Sequence, residues 1–328
     1  MNDVYYKVCC YWNAKTEMYD SILVDSYLYD SAYISNPKLR GYSAEYSRQI
    51  FLFCQHVLIC ECNKPFDEVL IKTMQQTMKY LCENIQGCVI GYVQSDEITL
   101  ILIDYKKLTS SAFFDYKVQK VCSITASMAT MEFNKYFADN VDSAYDEEFH
   151  SLGLDNRSNF KSSTEYNETF ESLEKKYDTY YKKINKAMFD SRCFNIPKEE
   201  VANLLYWRQD DTSRNSIQMV GQAYFSDKEL YHKSRNKIQD MLMTQKGVNW
   251  NDLPTYQKRG SCCIKEDYFI PEDELPENKR INLSPRTLDP EEDEYGVWRT
   301  HWVIDKDIPI FTGKQGREYI ERFIYVGE

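Results

Sequence analysis

No run of about 18 apolar residues occurs in this chain, and no basic-then-apolar leader opens it. The expectation is a soluble, cytoplasmic protein with no membrane partner. Positive charge is in deficit: 40 Lys and Arg face 51 Asp and Glu, a formal net charge of −11. A protein that coats nucleic acid over its whole surface would be basic, so that class is excluded, although a local basic face on an acidic body is not. Glycine is sparse at the start, where only Gly41 precedes Gly87, so tight turns there fall to Asn, Asp and Pro. The paired knuckles of a structural zinc site are missing too. Cys54, His56, Cys60 and Cys62 lie close together but not as two separated Cys pairs, so buried thiols on a strand are the expected reading. With no secretory signal, the 11 cysteines read as reduced thiols rather than a disulfide framework.

What is present is ordinary for a globular protein: 43% hydrophobic and 28% charged residues over 328 positions, enough for a full core in one large domain or two smaller ones. Tyrosine is frequent, at 27 residues, without indicating a function. The most informative stretch is Gly91 to Leu100. Cys88–Gln94 alternates like a strand, and Ile98–Ile103 is continuously apolar, like a strand buried on both faces. Between them stand Ser95, Asp96 and Glu97. A hairpin with two carboxylates at its bend can hold a divalent cation, and hard oxygen ligands suit Mg2+ with substrate phosphates; a solvated acidic turn is the plainer alternative.

Around this hairpin the chain divides into five parts. Residues 1–62 read as a divergent N-terminal segment with strands at Ile22–Val24 and Ile50–Phe53. Residues 63–138 form a core: a helix carrying Leu70, Ile71, Met74, Met78, Leu81 and Ile85 and stopped by Gly87, then the hairpin, then a helix from about Tyr116 to Phe137. This order predicts an α/β (α+β) fold, an antiparallel sheet with helices on one face. Residues 139–180 carry eleven acidic against four basic residues, and read as an acidic insertion, partly disordered or a solvated helical excursion. Residues 181–265 complete the core; within them, nine Lys and Arg against six Asp and Glu between Arg208 and Gly260 reverse the sign of the whole chain and suit phosphates. Residues 266–328 read as an extended C-terminal arm, with Trp298–Ile304 as a strand and 317–325 as a short helix or strand.

Four segments in order, Gln94–Glu97, Phe189–Arg192, Trp207–Met219 and Asn249–Gly260, resemble the tRNA-histidine guanylyltransferase family, most closely its bacterial and archaeal guanylyltransferase-like members that repair tRNA 5′ ends. The resemblance runs from about residue 64 to 265. It implies a polymerase-like palm that adds nucleotides to a tRNA 5′ end in the 3′-to-5′ direction, with Mg2+ as cofactor, GTP and ATP as substrates, and a homo-oligomer, typically a tetramer. Two metal ions on two palm carboxylates would activate the nucleotide 3′-hydroxyl and steady the triphosphate. By position, Asp96 is the second metal carboxylate, Glu97 its acidic neighbour and a second candidate for catalysis and metal binding, and Ser95 part of the same turn. Arg208, Gln209, Asp211, Asn215 and Ser216 fall on the family's polar helix motif; Lys237, Lys258 and Arg259 are candidates for triphosphate or tRNA phosphate contacts. Ser213, where eukaryotic members carry His, favours the repair-type branch.

One family feature is absent. The first metal site is an Asp-Gly pair shortly before the Lys-Pro-Phe-Asp segment, and this chain has no Asp-Gly dipeptide; counting back from Lys64 reaches Ile50–His56, without a carboxylate. Three readings stand: residues 1–62 are an out-of-frame segment joined to an intact remainder, Asp25 takes the missing place on a strand threaded differently, or the protein is a degenerate relative that binds tRNA or nucleotide without catalysis.

Overall fold

The computed structural model describes residues 65–106, 109–280, 283–286 and 294–325 with their side chains, and the backbone of three earlier strands at 6–13, 18–25 and 49–56. Those strands are β1 (Tyr6–Asn13), β2 (Met18–Asp25) and β3 (Gln49–His56). The first two form a separate antiparallel hairpin. β3 joins β4 (Cys88–Gln94), β5 (Glu97–Ile103), β6 (Phe189–Asn195), β7 (Ser261–Pro271), β8 (Ser284–Pro285) and β9 (Tyr295–Asp305) in a seven-stranded sheet. Its order is β6-β3-β5-β4-β7-β9-β8, and every pairing is antiparallel.

All seven residues of β5 are buried, as its unbroken apolar run demands. Ile98, Leu100 and Leu102 face one side, where they meet Met74, Met78 and Leu81 of α1 (Glu68–Asn84) and Val121, Phe133 and Phe137 of α2 (Val118–Ser151). Ile101 faces the other side with Ile90 and Tyr92, beneath Val201, Leu204 and Leu205 of a later helix and Ile320 and Ile324 near the C-terminus. Helices therefore cover both faces, not the one face expected from the helix-hairpin-helix order. A strand apolar at every position needs two coverings, at about 1.5–3 kcal/mol for each fully buried Leu or Ile. The approach of α1 is close because the sheet is bare at Gly91: a Cβ there would lie 2.5 Å from the Cys82 sulfur and 2.9 Å from Met78 Cγ.

The acidic stretch is helical. α2 passes through residue 138 without a break, and α3 (Ser163–Tyr181) folds back along it, so the boundary drawn at 138/139 falls inside a helix. Its polarity hid a real inner face, on which Leu173, Tyr177 and Tyr180 join the first core. The second face is closed by α4 (Val201–Tyr224), whose far half packs on α5 (Arg235–Met241) and Trp250. A short helix, α6 (Thr255–Arg259), leads into β7. The C-terminal residues are part of the body rather than only an arm: β9 pairs with β7 in the main sheet and α7 (Gly313–Ile324) lies on the second face.

Candidate active site

The hairpin turn stands at one end of the sheet. Gln94 and Glu97 are cross-strand partners, leaving Ser95 and Asp96 as a two-residue loop. Ser95 takes a left-handed φ of 46°, as the twist of such a short hairpin favours. Ser95 is exposed and Asp96 half-exposed. Glu97 is the first residue of β5 and turns inward, where it is 9% exposed. Its Oε2 accepts a 2.8 Å hydrogen bond from Gln94 and forms an ion pair with Arg208 of α4, itself 5% exposed. Burial pulls the Arg208 pKa down, opposed by the charges of Asp211 and Asp96 and by the Tyr92 phenol, so the guanidinium sits under the turn among several acidic groups.

Beside the turn lies a narrow cleft of about 60 Å³ between α1, the hairpin, α4 and α6. Asp67, Ser95, Asn215, Ser216, Tyr256 and Gln257 are among its walls. Its floor is a buried polar network. The Tyr92 hydroxyl shares a 2.8 Å hydrogen bond with Thr212 and donates to the Arg259 carbonyl at 2.5 Å. Trp250 donates to Ser216 at 3.0 Å, and the single hydroxyl proton of Ser216 is within reach of the carbonyls of Ser213 (3.0 Å) and Lys258 (3.3 Å). Burial raises the Tyr92 pKa strongly, keeping the phenol protonated. Gly260, at φ 81°, ends α6 just before β7 and lies against this floor; a Cβ would meet the Val93 carbonyl at 2.4 Å.

The residues singled out from sequence separate into two groups. Asp96, Ser95, Asn215 and Ser216 stand at the turn or in the cleft. Asp211 borders Arg208, pairs with Arg214 and accepts a 3.3 Å bond from Asn215. Lys237 is exposed on α5 and Arg259 half-exposed at the end of α6. Gln209 and Lys258 are buried, and their polar groups are taken by partners within the protein. Gln209 is 2% exposed: its amide donates to the Pro309 carbonyl at 2.9 Å and accepts from the Phe311 N–H at 2.8 Å, fastening α4 to the segment before α7. Lys258 is 8% exposed and gives its ammonium to the Asn251 carbonyl at 2.5 Å, with burial lowering its pKa. In both cases one turn of helix decides the direction, which the residue type alone does not reveal. Tyr92, Thr212 and Trp250 are not singled out by the sequence: Tyr92 and Trp250 look like core in their own segments and Thr212 is one of several polar residues in its run, and only the fold joins them.

A pair of Mg2+ ions on two carboxylates does not fit the described residues. Glu97 turns inward and engages Arg208 and Gln94 through Oε2, whereas Asp96 lies half-exposed on the turn. The backbone register sets Gln55 of β3 between Glu97 and Asp190, and Asp190 pairs through Oδ2 with Arg192 at 3.0 Å. Asp25 lies on β2, outside the seven-stranded sheet. No group of three or more His, Cys, Asp or Glu side chains converges among the described residues. Cys60 and Cys62 lie outside those residues, as do the side chains of Cys54 and His56.

A family model described as tRNAHis guanylyltransferase matches residues 52–197. A bacterial tRNA(His) guanylyltransferase-like protein, solved in complex with ATP, is 31% identical; the match covers 88% of this chain and 98% of that one, with a TM-score of 0.61. A second bacterial structure of that description, in complex with GTP, is 29% identical over 88% of this chain and 97% of its own, with a TM-score of 0.55. An uncharacterised protein of Acanthamoeba polyphaga mimivirus is 27% identical over 217 residues, 62% of this chain and 64% of its own length, so the match spans just under two thirds of that curated relative.

Proposed function

The chain belongs to the tRNAHis guanylyltransferase family, a family of nucleotidyltransferases, and on that premise we propose that it extends the 5′ end of a tRNA in the 3′-to-5′ direction with nucleotides drawn from GTP or another triphosphate. The observation that carries this reading is the carboxylate-bearing turn beside a narrow cleft whose walls include Asp67, Asn215, Tyr256 and Gln257. In the proposed reaction the 3′-hydroxyl of the incoming nucleotide attacks the 5′ phosphate of the tRNA. A phosphodiester bond forms, and pyrophosphate leaves from a triphosphorylated end, or AMP from an end first activated with ATP. Asp96 is the group at the turn able to take the proton that the hydroxyl gives up. Arg208 holds Glu97 and so fixes the first residue of β5 beneath the turn, while Lys237 and Arg259 meet phosphates. ATP and GTP in the two bacterial relatives support the choice of substrates.

A second reading, binding of nucleotide or tRNA without transfer, is favoured by one observation: the Asp-Gly pair of the family's first metal site is absent from the sequence. Incubation of the purified chain with Mg2+, ATP, GTP and a tRNA lacking its first nucleotide separates the two. Transfer predicts a lengthened tRNA, reduced roughly 100- to 1,000-fold in Asp96→Ala. A tRNA that is bound but never lengthened establishes the second reading.

A further inference from the structure

The acidic hairpin of α2 and α3 is held by tyrosines set against carboxylates. Tyr145 donates to Glu174 at 2.5 Å, an arrangement that raises its pKa to about 12 through that bond and then burial. Tyr177 donates to Glu148 at 2.9 Å, and Lys176 donates to both oxygens of the same carboxylate, at 2.6 and 2.8 Å. The last such bond leaves the hairpin. Tyr180 is 6% exposed against Phe137 and Tyr177, and its hydroxyl donates to Asp67 Oδ2 at 2.5 Å. Asp67 is 5% exposed and uses its other oxygen, Oδ1, to accept the Leu70 N–H at 2.9 Å, capping α1.

The bond matters because Asp67 and the first turn of α1 form one wall of the cleft. That turn is also gripped from the opposite side, where Tyr256 and Gln257 of α6 donate to Glu68 at 3.1 and 2.7 Å. We infer that Tyr180 is a positioning residue for the nucleotide cleft, acting through Asp67, and that the acidic hairpin is the strut that brings it there. The inference rests on the reading of the cleft as the nucleotide's site. A phenol bonded to a carboxylate at 2.5 Å is in the range of strong charge-assisted hydrogen bonds. It fixes the carboxylate and the helix end together, whereas the Tyr145 and Tyr177 bonds join the two helices of the hairpin to each other. Some of the unusual tyrosine content thus has a local purpose.

Three variants test this against the wild-type chain. Tyr180→Phe removes the hydroxyl and keeps the ring. Asp67→Asn keeps a good helix cap but substitutes an amide for the carboxylate. Tyr145→Phe removes a phenol–carboxylate bond from the same hairpin, away from the cleft. Calorimetric titration with GTP, thermal melting, and the KM and kcat for nucleotide addition to tRNA are measured for each. The expected result is about a tenfold weaker Kd and higher KM for GTP in Tyr180→Phe and in Asp67→Asn, with kcat changed by less than about threefold. The two losses do not add when combined, and Tyr145→Phe, whose lost bond is exposed, binds GTP like wild type with a smaller drop in Tm. Should Tyr180→Phe fail to fold, Asp67→Asn carries the same prediction. GTP binding in Tyr180→Phe within about twofold of wild type overturns the inference, as does an equal loss in Tyr145→Phe. A wild-type chain that binds no GTP overturns the nucleotide reading of the cleft and this inference with it.

Discussion

Replacing Arg208 by Met should be among the most damaging single changes near the turn. Arg208 and Glu97 are 5% and 9% exposed, and Glu97 also accepts a hydrogen bond from Gln94 at 2.8 Å. An exposed ion pair contributes about 0–1 kcal/mol, whereas removing one member of a buried pair costs about 3–5 kcal/mol, because the other charge stays buried and uncompensated. Burial places this pair in the second class. For a chain of this size roughly 2 °C in Tm accompanies each kcal/mol, so Arg208→Met should melt about 6–10 °C below wild type. Glu97→Gln should cost less, since Asp211 and Asp96 continue to act on the guanidinium. The double variant Arg208→Met/Glu97→Gln should recover a large part of the loss, because no bare charge remains. Urea and thermal unfolding of the four proteins, at low and high salt (about 0.05 and 0.5 M), measure the coupling. A buried pair predicts little salt dependence. A cost below about 1 kcal/mol in Arg208→Met, or strict additivity in the double variant, would refute the reasoning and free Glu97 to act elsewhere.

Two further outcomes follow from groups whose pKa values are displaced. Burial, foremost, raises Tyr92, Tyr177, Tyr180 and Tyr319 above the ordinary phenol value of 10.0. A group with a raised folded pKa gives its full stability below the unfolded value and loses it as pH climbs towards the folded one; the unfolding midpoint should therefore hold to about pH 10 and fall above it, by about 1.4 kcal/mol per pH unit for Tyr92 alone. Urea midpoints that stay flat to about pH 11.5 would contradict this. Cys122 lies 3.6 Å from Cys193, and the hydrogen bond between the two sulfurs lowers the Cys122 pKa to about 7, while burial opposes it. At about pH 7.5 iodoacetamide should label Cys122 well before the buried Cys82, Cys88, Cys262 and Cys263, with a rate that levels off above about pH 8; peptide mapping showing uniform labelling would count against it.

The parts of the fold legible in the sequence were those with one dominant signal. The apolar run of β5 announced its own burial, and Gly87 marked the end of α1's pattern. Polarity misled elsewhere. The run from Arg208 to Ser216 has no apolar residue to mark an inner face, yet it is the middle of α4, because Arg208, Gln209, Thr212 and Ser216 find buried partners in other elements. The acidic hairpin gave no strong period, since its inner face is built from tyrosines that pack and donate at once. Site residues divided the same way. Asp96 and Ser95 were evident because two strands flank them. The inward turn of Glu97, Gln209 and Lys258 depends on the folded arrangement around each side chain, as does the Tyr92–Thr212 contact across 120 positions.

The most direct test of the central claim uses GTP labelled in its α-phosphate and a triphosphorylated tRNA lacking its first nucleotide, under single-turnover conditions. The account predicts one added nucleotide whose 3′ oxygen is joined to the old 5′ phosphate, stoichiometric release of pyrophosphate from the tRNA, and loss of both products in Asp96→Ala. Label at the tRNA 3′ end, or tRNA and GTP bound with neither bond formation nor pyrophosphate release, would contradict it.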